Sequence, residues 1–330
     1  MPKYQVVTHA GNPKDRLMRA TAAIKRGEEI MSEEALASLD FLHPAAAHSG
    51  VKAMPKLRNS LSPEVRNQLA ALPNNDPGRG TEGLIETNAF EEDDQRGALK
   101  YKVLRIYDEM SRFKHSCQPN AELHWDSARN RGSLHAVRPI AVGDEIFINY
   151  LADAQSSLHT RTPRRTEIQK QWGFVCSCEV CILQGIDLNN NNAARINARV
   201  RYQELNKPRT ESASWRVMNN QTTSRLQKAT EYIGFLQQLD IEDGRLAWAY
   251  DMLAYLQYHM WRTAESSIRE TNRHCASCNI NRGSVWHLRR SLDARRDLYR
   301  IDRRIYPKSH PRLAEDSAEI NKLIDKIDRS

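Results

Sequence analysis

Three cysteines crowd into the segment WGFVCSCEVC as C-x-C-x-x-C, at Cys176, Cys178 and Cys181, and Cys117 stands 59 positions before the first of them in SRFKHSCQPN. Three thiolates this close can reach one ion, and tetrahedral zinc needs a fourth ligand, for which Cys117 is the upstream candidate. The competing reading is a chance trio or a reactive thiol pair. A bound metal would fold the tail of the cluster back over the element that carries Cys117, and would position Trp172 to Phe174. Without a secretory start, a close cysteine cluster points to metal before it points to a disulfide framework. His274, Cys275 and Cys278 form a sparser second set, with His287 as a possible fourth ligand. Because His287 falls inside a helical pattern, packed thiols at a helix junction are the expectation there.

These residues need elements to hold them. Residues 1–40 carry the pattern of short strands and a turn at Gly27, with a strand around Glu29–Met31. Ser62-Pro63-Glu64 opens a short helix over 61–72, and PNNDPGRGTEG reads as a loop. Short segments rich in branched and aromatic residues predict strands at Tyr101–Tyr107, Glu122–Trp125, Ser133–Val137 and Glu145–Tyr150. Thr162–Trp172 reads as a helix that delivers the chain to the cysteines. LQGIDLNNNNAA reads as a linker, and beyond it apolar residues return at helical steps in LAWAYDMLAYLQYHMWRTAESSI, VWHLRRSLDARRDLYRIDRRIY and HPRLAEDSAEINKLIDKI. The expected division is 1–185 and 186–330, the second part a solenoid of helix pairs.

The chain has 330 residues, of which 27% are charged, and a formal charge of +8. Its mean hydropathy of -0.70 argues for a soluble protein. No apolar run has the length of a membrane span, and MPKYQVVTHAGNPKDRL lacks the apolar stretch of a signal peptide, so a nuclear or cytoplasmic location is expected. The basic balance suits acidic partners such as nucleic acid or chromatin. Lys and Arg are spread along the chain, however, which favours a solvated basic surface.

SRFKHSCQPNAELHW, then GDEIFINY, then WGFVCSCEVC resembles, in that order, the SET domain of protein lysine methyltransferases, most of all the SET–MYND group and its fungal relatives. The resemblance runs over roughly residues 14 to 181, and no MYND finger is visible. It implies an α+β fold of short β-sheets with a pseudoknot that threads Arg112–Asn120 beneath a loop, a post-SET zinc site, and an α-helical, TPR-like C-terminal region. It also implies an S-adenosylmethionine-dependent lysine N-methyltransferase acting on a histone or another protein. Tyr150 matches the catalytic tyrosine, Phe174 the aromatic that packs on adenine, His115 a backbone contact to adenine, and Asn88 of TNAF a pocket residue.

Two departures bear on that pocket. The family's N-H-S-C is here Lys114-His115-Ser116-Cys117, which sets a cation where a neutral amide meets the cofactor's amino-acid end. If Ala20-Thr21 aligns with the family's A-T, the N-terminal G-x-G becomes Asp15-Arg16-Leu17. Side chains there obstruct a close backbone approach, although Asp15 can accept from the cofactor's amino group and Arg16 can pair with its carboxylate. The alternative function is therefore a catalytically degenerate SET scaffold that binds a partner protein.

Overall fold

The computed structural model describes residues 2–9, 12–42, 61–96, 99–151, 154–207, 215–274, 282–306 and 311–329. The chain divides into two compact units. The first holds Met1–Ser157, Arg161–Leu183 and Arg304–His310; the second holds Leu158–Thr160, Gln184–Arg303 and Pro311–Ser330.

Among the described residues, four small sheets build the first unit: β1 (Tyr4–His9) with β2 (Asn12–Ala20), β3 (Glu29–Glu33) and β8 (Ala121–Asp126) on either side of β9 (Arg131–Ala136), β4 (Ala37–Leu42) and β5 (Phe90–Arg96) on either side of β6 (Leu99–Ile106), and the short parallel pair β7 (Lys114–His115) and β10 (Phe147–Ile148). Met18, Ile24, Ile30, Tyr107, Phe113, Leu134, Ile146 and Ile148 form the core between them. Strands β6, β8 and β9 fall where branched and aromatic residues predict them. Strand β5, FEEDDQR, has no apolar alternation. Glu92 pairs with the buried Arg105 of β6 at 2.7 Å, so cross-strand charge helps to hold this strand.

The segment from Gly143 to Ile148 laces distant parts of the chain together. On one side Ala20 N donates to Asp144 O at 2.9 Å, and Ile146 N donates to Met18 O at 2.8 Å. On the other, Phe147 lies opposite Lys114 and Ile148 opposite His115, with Ser116 N donating to Ile148 O at 2.9 Å. Asn120 holds the segment with both ends of its amide: Nδ2 donates to Glu145 O at 2.9 Å, and Oδ1 accepts from Phe147 N at 2.8 Å. The strand is shorter than Glu145–Tyr150, because Asn149 Oδ1 accepts from Leu151 N at 3.0 Å and turns the chain.

Helix α1 (Pro63–Ala70) is capped by Ser62, whose hydroxyl accepts from Val65 N at 3.3 Å. Helix α2 (Thr81–Asn88) begins inside the expected loop, immediately after Gly80 with its φ of 56°. Helix α3 (Arg161–Trp172) leads to the cysteines as expected.

The second unit is helical: α4 (Gly185–Asn206), α5 (Trp215–Gln238), α6 (Gly244–His274), most of α7 (Arg282–Ile305) and α8 (Pro311–Asp328). The expected linker LQGIDLNNNNAA is instead the first half of α4. Asparagine is only a mediocre helix former, at roughly 0.7 kcal/mol below alanine per residue, and burial of Ala194, Ala198 and Leu205 on the same helix offsets it. Trp248 packs against Tyr202 at 5.0 Å and Tyr232 at 5.8 Å, joining α4, α5 and α6. Trp261, Leu288, Leu292 and Leu323 join α6, α7 and α8. The helices run 22, 24, 31, 24 and 18 residues. Cys275 and Cys278 lie outside the described residues.

Replacing Asn120 by Ala leaves Glu145 O and Phe147 N without their partners. Urea unfolding should show a loss of about 2–4 kcal/mol, on about 1–3 kcal/mol for each orphaned group.

Candidate active site and metal centre

The last turn of α3 and the loop after it bring Cys176, Cys178 and Cys181 to the bend that carries Cys117, just after β7. The four sulfurs lie within 4.8 Å of one another, with Cys117 Sγ 3.9 Å from Cys176 Sγ and 3.6 Å from Cys181 Sγ. A tetrahedral zinc with bonds of about 2.3 Å requires sulfurs about 3.8 Å apart, so this donor set fits such an ion. Hydrogen bonds among the four thiols hold Cys178 and Cys181 below the ordinary thiol range and Cys117 and Cys176 above it, the pattern of sulfurs that share protons.

Two N–H groups point at the sulfurs. Arg164, on the first turn of α3, is 1% exposed, and its Nη2 donates to Cys181 Sγ at 3.6 Å. His115 lies on the other side. Its Nδ1 accepts from Tyr150 N at 3.0 Å, which leaves the proton on Nε2, 3.3 Å from Cys117 Sγ. Burial pushes the His115 pKa down to about 4, so the ring is neutral and this tautomer is fixed.

Tyr150 adjoins this pair. Its hydroxyl donates to Phe113 O at 2.6 Å. Its ring packs on His115 at 5.3 Å, on Trp172 at 5.1 Å and edge-on to Phe174 at 6.4 Å and 84°. Burial raises its pKa, so the phenol keeps its proton. Trp172 Nε1 donates to Thr87 O at 3.2 Å and ties the end of α3 to the end of α2. Phe174 is 38% exposed and offers a free aromatic surface at the edge of the cluster. The loop into Phe113 is held by Glu33, whose carboxylate accepts from Asp108 N at 2.8 Å, Glu109 N at 3.0 Å and Met110 N at 2.9 Å.

Cys117, Cys176, Cys178, Cys181, His115, Tyr150 and Phe174 thus come together, with Lys114 beside them on β7 opposite Phe147. Asp15 and Arg16 lie on β2, where Arg16 pairs with Thr8, and Leu17 is buried. Asn88 is buried at the end of α2. Its Nδ2 donates to Pro73 O and Leu84 O, each at 2.8 Å, so both amide hydrogens are spent inside the fold. It reaches the site through its backbone, where Asn88 O accepts from Ser111 Oγ at 3.1 Å. Arg164 and Asn120 were not apparent from sequence. A basic helix segment, TPRRTEIQKQW, gives no sign of which arginine turns inward.

A family model described as the SET domain matches residues 15–151. The chain carries a SET domain. Among curated relatives, the histone-lysine N-methyltransferase SET5 of Saccharomyces cerevisiae (strain YJM789) is 35% identical over 77 residues, 23% of this chain and 14% of that protein. The set5 protein of Schizosaccharomyces pombe is 35% identical over 75 residues, 22% of each chain. The histone-lysine N-methyltransferase Smyd1 of Mus musculus is 30% identical over 110 residues, 30% of this chain and 21% of that protein. The matches cover less than a quarter of these relatives' own lengths. This SET domain is similar to both the fungal and the SET–MYND kind, in keeping with the motif order.

Arg164→Met removes the buried cation from the sulfur cluster of this SET domain while keeping its bulk. Competition with a chelator, read with cobalt(II) as the bound ion, should show about tenfold weaker metal retention, the loss of roughly one charge-assisted hydrogen bond. Unchanged retention would show that Arg164 only fills space.

Proposed function

We propose that the chain is an S-adenosylmethionine-dependent protein-lysine N-methyltransferase acting on a substrate protein, histone or other, with residues 1–185 as its catalytic domain and 186–330 as a helical domain. The observation that carries this reading is Tyr150, its hydroxyl fixed on Phe113 O and its ring enclosed by His115, Trp172 and Phe174. The sulfur cluster beside it we read as a zinc site formed by Cys117, Cys176, Cys178 and Cys181, whose role is to hold the chain in place. Nuclear or cytoplasmic residence and association with chromatin belong to the same reading. Among the described residues no helix is long and apolar enough to cross a membrane.

S-adenosylmethionine, when bound, supplies a methyl group on a positively charged sulfur. Phe174 then offers its exposed face to the adenine, and the backbone at Lys114 and His115 meets the same end of the cofactor. Asp15 and Arg16 are assigned to the amino-acid end, and Asn88 shapes the pocket wall from behind. Tyr150 orients the incoming amine through its hydroxyl oxygen and sets ring electron density near the sulfonium charge. The enclosing aromatic walls exclude water, which favours the neutral form of the substrate lysine and holds donor and acceptor in line. Methyl transfer to the amine nitrogen would leave the product with a surplus proton, which would pass to solvent.

Lys114 and the closed amide of Asn88 favour a second reading, a SET scaffold with weakened or lost catalysis that binds a partner protein.

Calorimetric titration of the folded, metal-loaded protein with S-adenosylmethionine separates the two. The first reading expects saturable binding, and none at millimolar cofactor sinks it. Tyr150→Phe should lower methyl transfer to a histone mixture by about 100-fold while leaving cofactor affinity within about twofold, the pattern of a group that acts in the transition state. Lys114→Asn should tighten cofactor binding by about tenfold if the cation opposes the sulfonium and ammonium; no change would assign Lys114 to solvent.

A further inference from the structure

Helix α7 has the sequence RGSVWHLRRSLDARRDLYRIDRRI, eight arginines against three aspartates. That net +5 is more than half of the +8 carried by the whole chain. The next helix, α8, holds five acidic residues against three basic ones. The arginines are scattered in the sequence, but the helical period collects them. Leu288, Ser291, Leu292, Ala294, Leu298, Ile301 and Asp302 are buried. Arg289, Arg290, Arg296, Arg300 and Arg303 are exposed on the opposite face, with Asp293 and the half-exposed Asp297 among them. Arg295 turns the other way, to Asp251 at 2.6 Å, and takes no part.

Of these five arginines, Arg300 alone has a carboxylate at hand among the described residues, pairing with Asp297 at 2.7 Å, and Arg304, also exposed, takes no part in the argument. Arg290 lies over Trp286 and Arg303 over Tyr299, which fixes their planes without neutralising them. Trp286 itself is 54% exposed at the N-terminal end of the same face. A favourable interaction with the helix dipole accounts for arginines in the last turn but not for Arg289, Arg290 and Arg296 in the middle. Like charges along one face repel, so a partner of opposite charge density stabilises it.

We propose that this face of α7 is a docking surface for the phosphate backbone of nucleic acid. From Arg289 to Arg303 the helix rises about 21 Å, and duplex DNA presents a negative charge about every 1.7 Å of its axis, a density that side-chain carboxylates on a protein seldom reach. The guanidinium groups are planar forks suited to phosphate oxygens. Trp286 gives the face an aromatic edge for a sugar or base. The contacts are to backbone, so the binding discriminates little by sequence. The proposal is independent of the methyltransferase reading.

The test is fluorescence anisotropy of a labelled 20-base-pair duplex titrated with the full chain at several salt concentrations. The wild-type protein is expected to bind with a steep fall in affinity as salt rises. The triple variant R289Q/R296Q/R303Q should bind at least about tenfold more weakly, with the slope of log affinity against log salt reduced by about 2.7, about 0.9 for each phosphate contact removed. The triple variant R289K/R296K/R303K keeps the charge and should retain the slope, and far-ultraviolet circular dichroism checks that both variants keep their helix. An unchanged slope in the glutamine variant overturns the proposal, as does equal loss in a folded lysine variant. Competition by polyglutamate as strong as that by unlabelled duplex overturns it in favour of an acidic protein partner. S-adenosylmethionine titration of the same variants reports separately on the first unit.

Discussion

Four sulfur atoms within 4.8 Å cannot all be bare thiolates. At an effective dielectric of 20, two unit charges about 4 Å apart repel by about 4 kcal/mol, and six such pairs would force the cluster open. The sulfurs stay together only if protons or a cation hold them, and protons do so weakly. Closing a loop across the 59 positions between Cys117 and Cys176 costs about 4 kcal/mol in chain entropy, whereas a structural zinc site contributes about 10–16 kcal/mol. A cation therefore suffices to fix the tail after α3 over the parallel pair β7–β10. The packing of Ile168 and Leu151 against the cysteines adds a smaller apolar contribution to the same closure. The position of Trp172 and Phe174 depends on it.

His115 carries that constraint from the sulfurs to Tyr150. A neutral imidazole has one donor and one acceptor, and here both are used: the acceptor fixes Tyr150 through its backbone N–H, and the donor faces Cys117 Sγ. Exchanging the two roles would set an N–H against an N–H at Tyr150. The lacing of Gly143–Ile148 between β2 and β7 then delivers Tyr150 from the other direction. Phe113 O receives its hydroxyl because Glu33 has already set the preceding turn. The phenol is located by three independent restraints, which is what a group that must aim a lone pair at a reacting centre requires.

The parts of this arrangement that were legible in sequence are those in which local chemistry is the cause. C-x-C-x-x-C is dictated by a short-range demand for thiols around one point. The cap at Ser62 and the branched residues of β6, β8 and β9 are likewise local. Strand β5 was not legible, because FEEDDQR has no apolar alternation and is held by pairing with β6, where Glu92 meets the buried Arg105. The asparagine run opening α4 was not legible either, since turn chemistry at those residues is overridden by apolar contacts further along the same helix. Arg164 was hidden for a third reason: in a helix rich in charge, the residue that turns inward is chosen by a partner more than a dozen positions away. Tyr150 and Phe174 were legible only through the order of three motifs, since an aromatic residue at a strand end or before a cysteine is in itself ordinary.

Of the three departures from the family pattern, Asp15 and Lys114 are charged, whereas Leu17 is apolar and buried. Asp15 and Lys114, with Arg16 at the variable position between the two replaced glycines, lie where the resemblance assigns one end of the cofactor. That end is a zwitterion, an ammonium and a carboxylate on one carbon. An aspartate suits the ammonium and an arginine suits the carboxylate, whereas the cation of Lys114 stands against the ammonium and the sulfonium. The change would exchange close backbone approach, which glycine permits, for longer charged contacts that hold the cofactor from further away. Such a pocket would weaken the grip on the amino-acid end more than that on the adenine, because Phe174 and the His115 backbone are untouched by the substitutions. Under the methyltransferase reading, these positions therefore bear on recognition of the cofactor's amino-acid end and leave the surroundings of Tyr150 unchanged.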